Sequence, residues 1–264
     1  MAAMRSADVR SVLRVSRTGW SRLAVLALLW LLAPSTGYAN GSDGDEHGTD
    51  ALPFFTTYTL TGNYTVAGVD LPAQNTNDGV LTGTIQVSGV PANADIVAAY
   101  LYWEMIWSGP PASLDGLVDK VRFRGQPVSA VKTSTQALSG PYSPCWSNGG
   151  DKLTMLRADV RRLLPPQLDS AGKPTGRRLA NHADLLKYQA QAVAAGSPTD
   201  NWLLTVTLPE AGTGNKVPQS AGASLLIVYR DPDPDPTVPS PPQPLRTVVV
   251  YDGVKIQGAG ETTT

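Results

Sequence analysis

Residues 222–253 read GASLLIVYRDPDPDPTVPSPPQPLRTVVVYDG, and this stretch decides the fold. Two runs dense in β-branched and aliphatic residues, Leu225 to Tyr229 and Val248 to Tyr251, flank a segment in which alternate or adjacent residues are proline. Such runs, bounded by turn formers, read as buried strands. The segment between them continues neither, because proline lacks the N–H a ladder needs and fixes φ. The 14 residues 231–244 include seven prolines. Fully extended as polyproline they would span about 43 Å at ~3.1 Å per residue. That is too long for a tight hairpin. It predicts a protruding loop or a crossover between sheets, with both flanking strands lying centrally in a sheet.

Working back along the chain, Asn201 to Pro209 (NWLLTVTLP) reads as a strand and Glu210 to Ala221 as a loop containing Gly and Pro. Residues 181–195 (NHADLLKYQAQAVAA) are the one convincing amphipathic helix, with Asn181 as cap, Gly196 as stop, and Ala183, Leu186, Ala190 and Val193 on one apolar face. Leu153 to Leu164 predicts a strand entering a short helix that Pro165-Pro166 ends, and Gln167 to Arg178 is polar. Cys145 and Trp146 sit in a loop, GPYSPCWSNGG (140–150). Val118 to Ser129 alternates, with a turn at Gly125-Gln126 or Gln126-Pro127, and Gly109 to Gly116 reads as a Pro- and Gly-rich loop.

Ala94 to Trp107 (ADIVAAYLYWEMIW) is the most apolar stretch outside the leader, and its β-branched and aromatic residues favour a strand buried on both faces. Leu81 to Ser88 alternates as a strand buried on one face, and Phe54 to Asp70 suits one or two exposed strands. No repeat of fixed period is visible. The count of eight to ten strands and one or two helices predicts an all-β protein, an antiparallel β-sandwich or jelly-roll-like domain over 54–258 with one or two short inserted helices and a disordered tail, 259–264.

The first 39 residues have the three-part layout of a secretory signal peptide. Arg5, Arg10, Arg14, Arg17 and Arg22 form a basic leader, Leu23 to Ala33 an apolar run, and Gly37 and Ala39 suit cleavage between Ala39 and Asn40. The rival reading is a retained membrane anchor, but the 11 residues of that run fall short of the roughly 20 a spanning helix needs. Removing five Arg and one Asp with the leader leaves 16 basic against 21 acidic side chains, a net charge of −5. A mildly acidic domain is poorly matched to phosphate backbones or anionic membranes, so nucleic-acid partners are excluded and no membrane span is expected after the leader. Residues 40–53 read as a flexible N-terminus of the exported chain. The single cysteine, Cys145, rules out an internal disulfide, so stability must come from the core.

The inventory of chemistry is thin. His47 and His182 are the only histidines, which excludes zinc sites built on His and Cys clusters. Cys145, His182 and Asn201 follow the order of a thiol hydrolase, in which an imidazole takes the thiol proton and an amide orients the ring. The spacing and the SNGG that follows Cys145-Trp146 argue for a loop cysteine beside an aromatic instead. Trp103, Trp107, Trp146 and Trp202, with Tyr100 and Tyr102, form a candidate sugar-stacking set, although alternation puts Trp103 and Trp107 together, opposite the two tyrosines, and core packing is the commoner fate of such residues. Glu104 is a candidate functional acid, set against a solvent-facing or Arg-paired carboxylate. Asp231, Asp233 and Asp235 leave calcium open as the one cofactor, but an EF-hand counted from Asp231 meets Pro236 where it needs Gly and Pro242 where it needs Glu. A guard against edge-to-edge strand pairing is the better role for them.

YLYWEM, VRFRG (121–125), the PCW loop, LRADV (156–160), and GASLLIVYRDP with LRTVVVYDG together resemble a domain-of-unknown-function family of secreted or cell-surface bacterial and archaeal β-sandwich domains. The resemblance covers residues 94–253. It implies a non-catalytic module beside stalk or repeat modules and carries over no functional residue. The proline-rich excursion and the helix at 181–195 depart from the family pattern, and the early end after Tyr-Asp-Gly is expected of a truncated member. The sequence therefore reads as an exported, non-catalytic surface or extracellular β-sandwich module with an unidentified surface or matrix partner. A carbohydrate-binding module is the alternative and a cysteine hydrolase the outsider.

Overall fold

Asp95–Ser108 (β3) buries most of its residues on both faces, its apolar run interrupted within by Glu104, and the sheet is built around it. The structure is a computed structural model that describes residues 52–138, 150–194, 203–231 and 244–254. Before β3 come Phe54–Asp70 (β1) and Val80–Thr84 (β2). After it come the helix Pro111–Val118 (α1), the short strands Arg122–Phe123 (β4) and Gln126–Pro127 (β5), Ala130–Ala137 (β6) and Asp151–Asp159 (β7). A 3₁₀ turn at Arg161–Leu163, a hairpin of Pro166–Leu168 (β8) and Pro174–Arg178 (β9), and the helix His182–Ala194 (α2) follow. Thr205–Pro209 (β10), Gly222–Arg230 (β11) and Leu245–Tyr251 (β12) complete the chain order.

Every strand pairing is antiparallel. One sheet of six strands runs β12-β1-β11-β3-β7-β6, and a second of four runs β2-β10-β4-β5. The fold is an all-β, sandwich-like arrangement. Between the sheets lies the larger core, where Leu101, Trp103, Met105 and Trp107 of β3 meet Leu81, Val206 and Leu208 from the second sheet and Leu114 and Leu185 from the two helices. Each such side chain removed from water favours the folded state by about 1.5–3 kcal/mol. The far face of the six-stranded sheet carries a second apolar cluster that includes Ala98, Tyr102, Met155, Leu226, Val228, Val248 and Val250.

Several expectations are corrected. β12 is an edge strand, paired with β1 alone among the described residues, and the two strands that the proline-rich segment joins lie on either side of β1 in one sheet rather than in two. Residues 232–243 of that segment lie outside the described residues. Phe54 to Asp70 forms one strand of 17 residues, long enough to pair with β12 through its first half and with β11 through its second. Gly109 to Gly116 is not wholly loop. Pro111 opens α1 at its first position, where a fixed φ and a missing N–H cost nothing. The turn between β4 and β5 is Arg124-Gly125, with φ of 51° and 72°, the paired positive values of a type I′ hairpin. β6, β8 and β9, in segments too polar to signal strands, also form.

Helix α2 starts where expected: the Asn181 side-chain oxygen accepts the Ala183 N–H at 2.9 Å. Its buried side is different. Leu185 and Tyr188 pack inward, while Ala183, Leu186, Ala190 and Val193 are exposed.

Candidate binding groove

Along β3 the side chains alternate, so the odd-numbered residues from Leu101 to Trp107 enter the larger core while Ala98, Tyr100, Tyr102 and Glu104 face the other way. Cross-strand pairing extends that second face. Gly68, Ser224, Tyr102 and Arg157 form one row across β1, β11, β3 and β7, and Val66, Leu226, Tyr100 and Asp159 form the next. The first half of β1, with β12 alongside, folds over this face. Phe55 meets the Tyr100 ring edge-on at 5.2 Å, and the Tyr58 and Tyr100 hydroxyls are 2.7 Å apart. Past β12, the Val254 N–H donates to Ser134 Oγ of β6 at 2.7 Å, so the last described residues reach the opposite edge of the sheet.

Arg157 and Asp252 hold this closure. The guanidinium donates to the carboxylate and lies 3.3 Å from the Phe55 ring centroid. Both side chains are largely buried. Burial pushes the Asp252 carboxyl above its ordinary value of 3.8, and the charge and hydrogen bond of Arg157 offset only part of that rise. Burial raises the Tyr58 hydroxyl as well, with the Tyr100 contact adding to it. Tyr102 is raised by burial first and by the Asp252 charge second, with Arg157 acting in the opposite sense.

Where β1 runs on beyond the folded arm, the same face opens into a groove of about 420 Å³. Its apolar lining includes Val66, Met155 and Leu226, its small residues include Gly68 and Gly222, and Asp70 and Glu104 supply carboxylates. Tyr102 stands between groove and ion pair. It lines the groove, its hydroxyl is buried, and both charges of the pair act on it. The loop that leads into Gly222 is fixed from within by Glu210. This carboxylate is fully buried and accepts the Gly212 N–H at 3.0 Å and the Ser220 N–H at 3.4 Å. Replacing Glu210 with alanine leaves both N–H groups unsatisfied. Urea unfolding is expected to show a loss of about 1–3 kcal/mol, and an unchanged midpoint would refute this role.

The structure sorts the residues that the sequence singled out. Trp103 and Trp107 share a face, as alternation requires, but they are 1% and 3% exposed and offer no ring to a sugar. Trp107 Nε1 donates to Thr154 Oγ1 at 2.8 Å. His182 begins α2 and its backbone N–H donates to the Val87 carbonyl at 2.7 Å. The Asp231 backbone N–H donates to the Thr61 carbonyl at 3.0 Å. Cys145, Trp146, Asn201, Trp202, Asp233 and Asp235 lie outside the described residues, as do the leader and its Ala39–Asn40 junction. Among the described residues no three His, Cys, Asp or Glu side chains group to hold a metal, and no helix is long and apolar enough to cross a membrane.

Sequence reasoning passed over Tyr58, Arg157 and Asp252 as site residues and named Tyr102 only as a member of an aromatic platform. The signal lay in the motifs: Tyr102 sits in YLYWEM, Arg157 in LRADV and Asp252 in the terminal YDG, and the fold brings these three motifs to one place. No family model, curated protein or solved structure matches the chain.

Proposed function

We propose that the chain is an exported, non-catalytic β-sandwich module that acts at the cell surface or outside the cell by binding a partner. The observation that carries this reading is the groove: an apolar lining, carboxylates and a buried phenol, on a face where the buried Arg157–Asp252 pair closes the sheet. Its size falls in the range of about 300–1,000 Å³ typical of ligand sites. The basic-apolar-small layout of residues 1–39 supplies the export part.

Fractionation of the producing cell with intact-mass measurement tests it. The expected product is a chain starting at Asn40 outside the cytoplasm. A full-length chain confined to the cytoplasm overturns the reading. A thiol-reactive probe addresses the hydrolase alternative: Cys145 is expected to react no faster than free cysteine at neutral pH, and faster labelling would restore it.

A further inference from the structure

We propose that the arginines around the first residues of β3 form a binding face for an anionic polysaccharide whose sugars carry carboxylates. Ile96, at the centre of this face, is eight residues from Glu104, about 26 Å along an extended strand, so the face is separate from the groove and stands without it. Residues 160–180 hold five basic side chains, Arg161, Arg162, Lys173, Arg177 and Arg178, against one acidic, Asp169, in a chain of net charge −1. The fold gathers the four arginines. β7 pairs with β3 only from Tyr100 onward, and the 3₁₀ turn after β7 reaches the uncovered start of β3, where Arg161 Nε donates to the Ile96 carbonyl at 2.6 Å. From β9, Arg177 Nη1 donates to the Asn93 carbonyl and Arg178 Nη1 to the Leu164 carbonyl, both at 2.9 Å. Arg162 is exposed beside Arg161.

Carbonyl oxygens hold three of these guanidiniums in place without neutralising them. Arg161, Arg162, Arg177 and Arg178 take part in none of the ion pairs among the described residues. Three carboxylates adjoin the same segments. Asp95 pairs with Arg230 at 2.7 Å, Asp159 accepts the Arg161 backbone N–H at 3.0 Å, and Asp169 accepts the Ala171 and Lys173 N–H groups within its own turn. Set against the four arginines, Arg230 and Lys173, they leave the face positive. A guanidinium carries five N–H donors in a planar fork, so an arginine anchored by one of them keeps others for a carboxylate. The Asn93 and Ile96 carbonyls are three residues apart, at most about 11 Å, which spreads the charge along a line and suits successive charges of a polymer better than one small anion. Gln167 and the exposed Thr175, whose hydroxyl donates to the Gln167 side chain at 3.2 Å, add amide and hydroxyl groups of the kind that pair with sugar hydroxyls. Beyond the leader the chain carries a net charge of −5. That repels a duplex with one charge per ~1.7 Å, or an anionic bilayer, more strongly than a polymer with one charge per sugar.

The experiment measures binding of the purified full-length chain to polygalacturonate at low salt. The background carries glutamine for Arg5, Arg10, Arg14, Arg17 and Arg22, so that the leader adds no affinity for polyanions. The fully methyl-esterified polymer is the neutral twin, and duplex DNA and phosphatidylglycerol vesicles represent the other anionic partners. Polygalacturonate is expected to bind, more weakly as salt is raised, and the ester not to bind. The double variant Arg162→Gln, Arg177→Gln is expected to lose about tenfold in affinity, the order of one charge-assisted contact. Arg162→Gln alone changes an exposed side chain, so it is expected to keep the unfolding midpoint and to lose about threefold. The charge-matched control is Lys120→Gln, Lys216→Gln, placed near Gly79 and Gly212 in loops toward the other end of β3. It is expected to bind as the background chain does. Binding of the ester as tight as that of the acid, equal losses in the two double variants, or unaltered affinity in both arginine variants overturns the proposal. Tighter binding of DNA or of vesicles than of polygalacturonate overturns it in favour of that partner.

Discussion

Replacing Arg157 with methionine is expected to destabilise the fold by about 3–5 kcal/mol at neutral pH, the cost of stranding a buried carboxylate without its counter-charge. Asp252 is 7% exposed, and Arg157 is the only ion-pair partner it has among the described residues. The variant also loses the guanidinium packed on Phe55, which methionine replaces only in its aliphatic part. The pH dependence follows from the direction of the Asp252 shift. Its folded pKa lies above 3.8, so between that value and the folded pKa the native state binds more protons than the unfolded chain. Stability from this group therefore falls as pH rises through that window and is recovered as pH drops back through it. Removing Arg157 takes away a lowering influence, so the window extends upward and the variant gains more from acidification than the wild-type protein does. The double variant Arg157→Met, Asp252→Leu is expected to recover most of the loss, because neither charge is then left alone. Urea midpoints at neutral and mildly acidic pH check all three statements. An Arg157→Met cost within about 0.5 kcal/mol, the range of ordinary surface changes, would remove the pair from the closure.

The second large effect is expected at Gly62. Here β1 passes from pairing with β12, at Thr61 and Leu245, to pairing with β11, at Arg230. A methyl group on Gly62 would land on the Tyr229 carbonyl oxygen and lie 2.8 Å from Arg230 Cα and 2.6 Å from Leu60 Cδ1. Two of these three neighbours are backbone, so relief requires parting the strands. Gly62→Ala is expected to cost about 2–4 kcal/mol. Gly116 is the matched control, since it lies in α1 with open space around it and no positive φ. There the same change is expected to stabilise by about 0.4–1 kcal/mol through the unfolded chain and helix propensity. Equal unfolding midpoints for the two variants would contradict the steric reading of the junction.

Much of the sheet was legible because its strands announce themselves locally. β3 and β11 are apolar on both faces and largely buried, and β2 alternates because it is covered on one. β12 has the same apolar signature yet lies at an edge. Val248 and Val250 are buried by the fold of the sheet over its own face, a cause with no local trace. The helix α2 shows how a pattern misleads: Leu186 and Val193 match a helical stripe, but the neighbouring elements cover Leu185 and Tyr188. The groove was less legible still. Glu104 stands out in the sequence as a charge within an apolar run, but Asp70, Tyr102 and Met155 come to it from three strands through register alone. Arg157 and Asp252 are 95 positions apart, and no spacing rule connects them.

The pairing of β1 has a consequence for the timing of folding. The first strand of the fold pairs with only the last two, β11 and β12, and residues 71–221 must be made before either exists. At synthesis rates of about 5–20 residues per second, the emerging chain spends roughly 8–30 s with its longest strand unpaired. Pairing between strands this far apart in sequence also forms late, since loop closure must precede it. A chain with this topology keeps β1 unpaired until β11 has been made, and an unpaired strand is what a translocation channel can thread. The proposed export and the order of the strands are thus compatible without a chaperone having to undo a finished sheet.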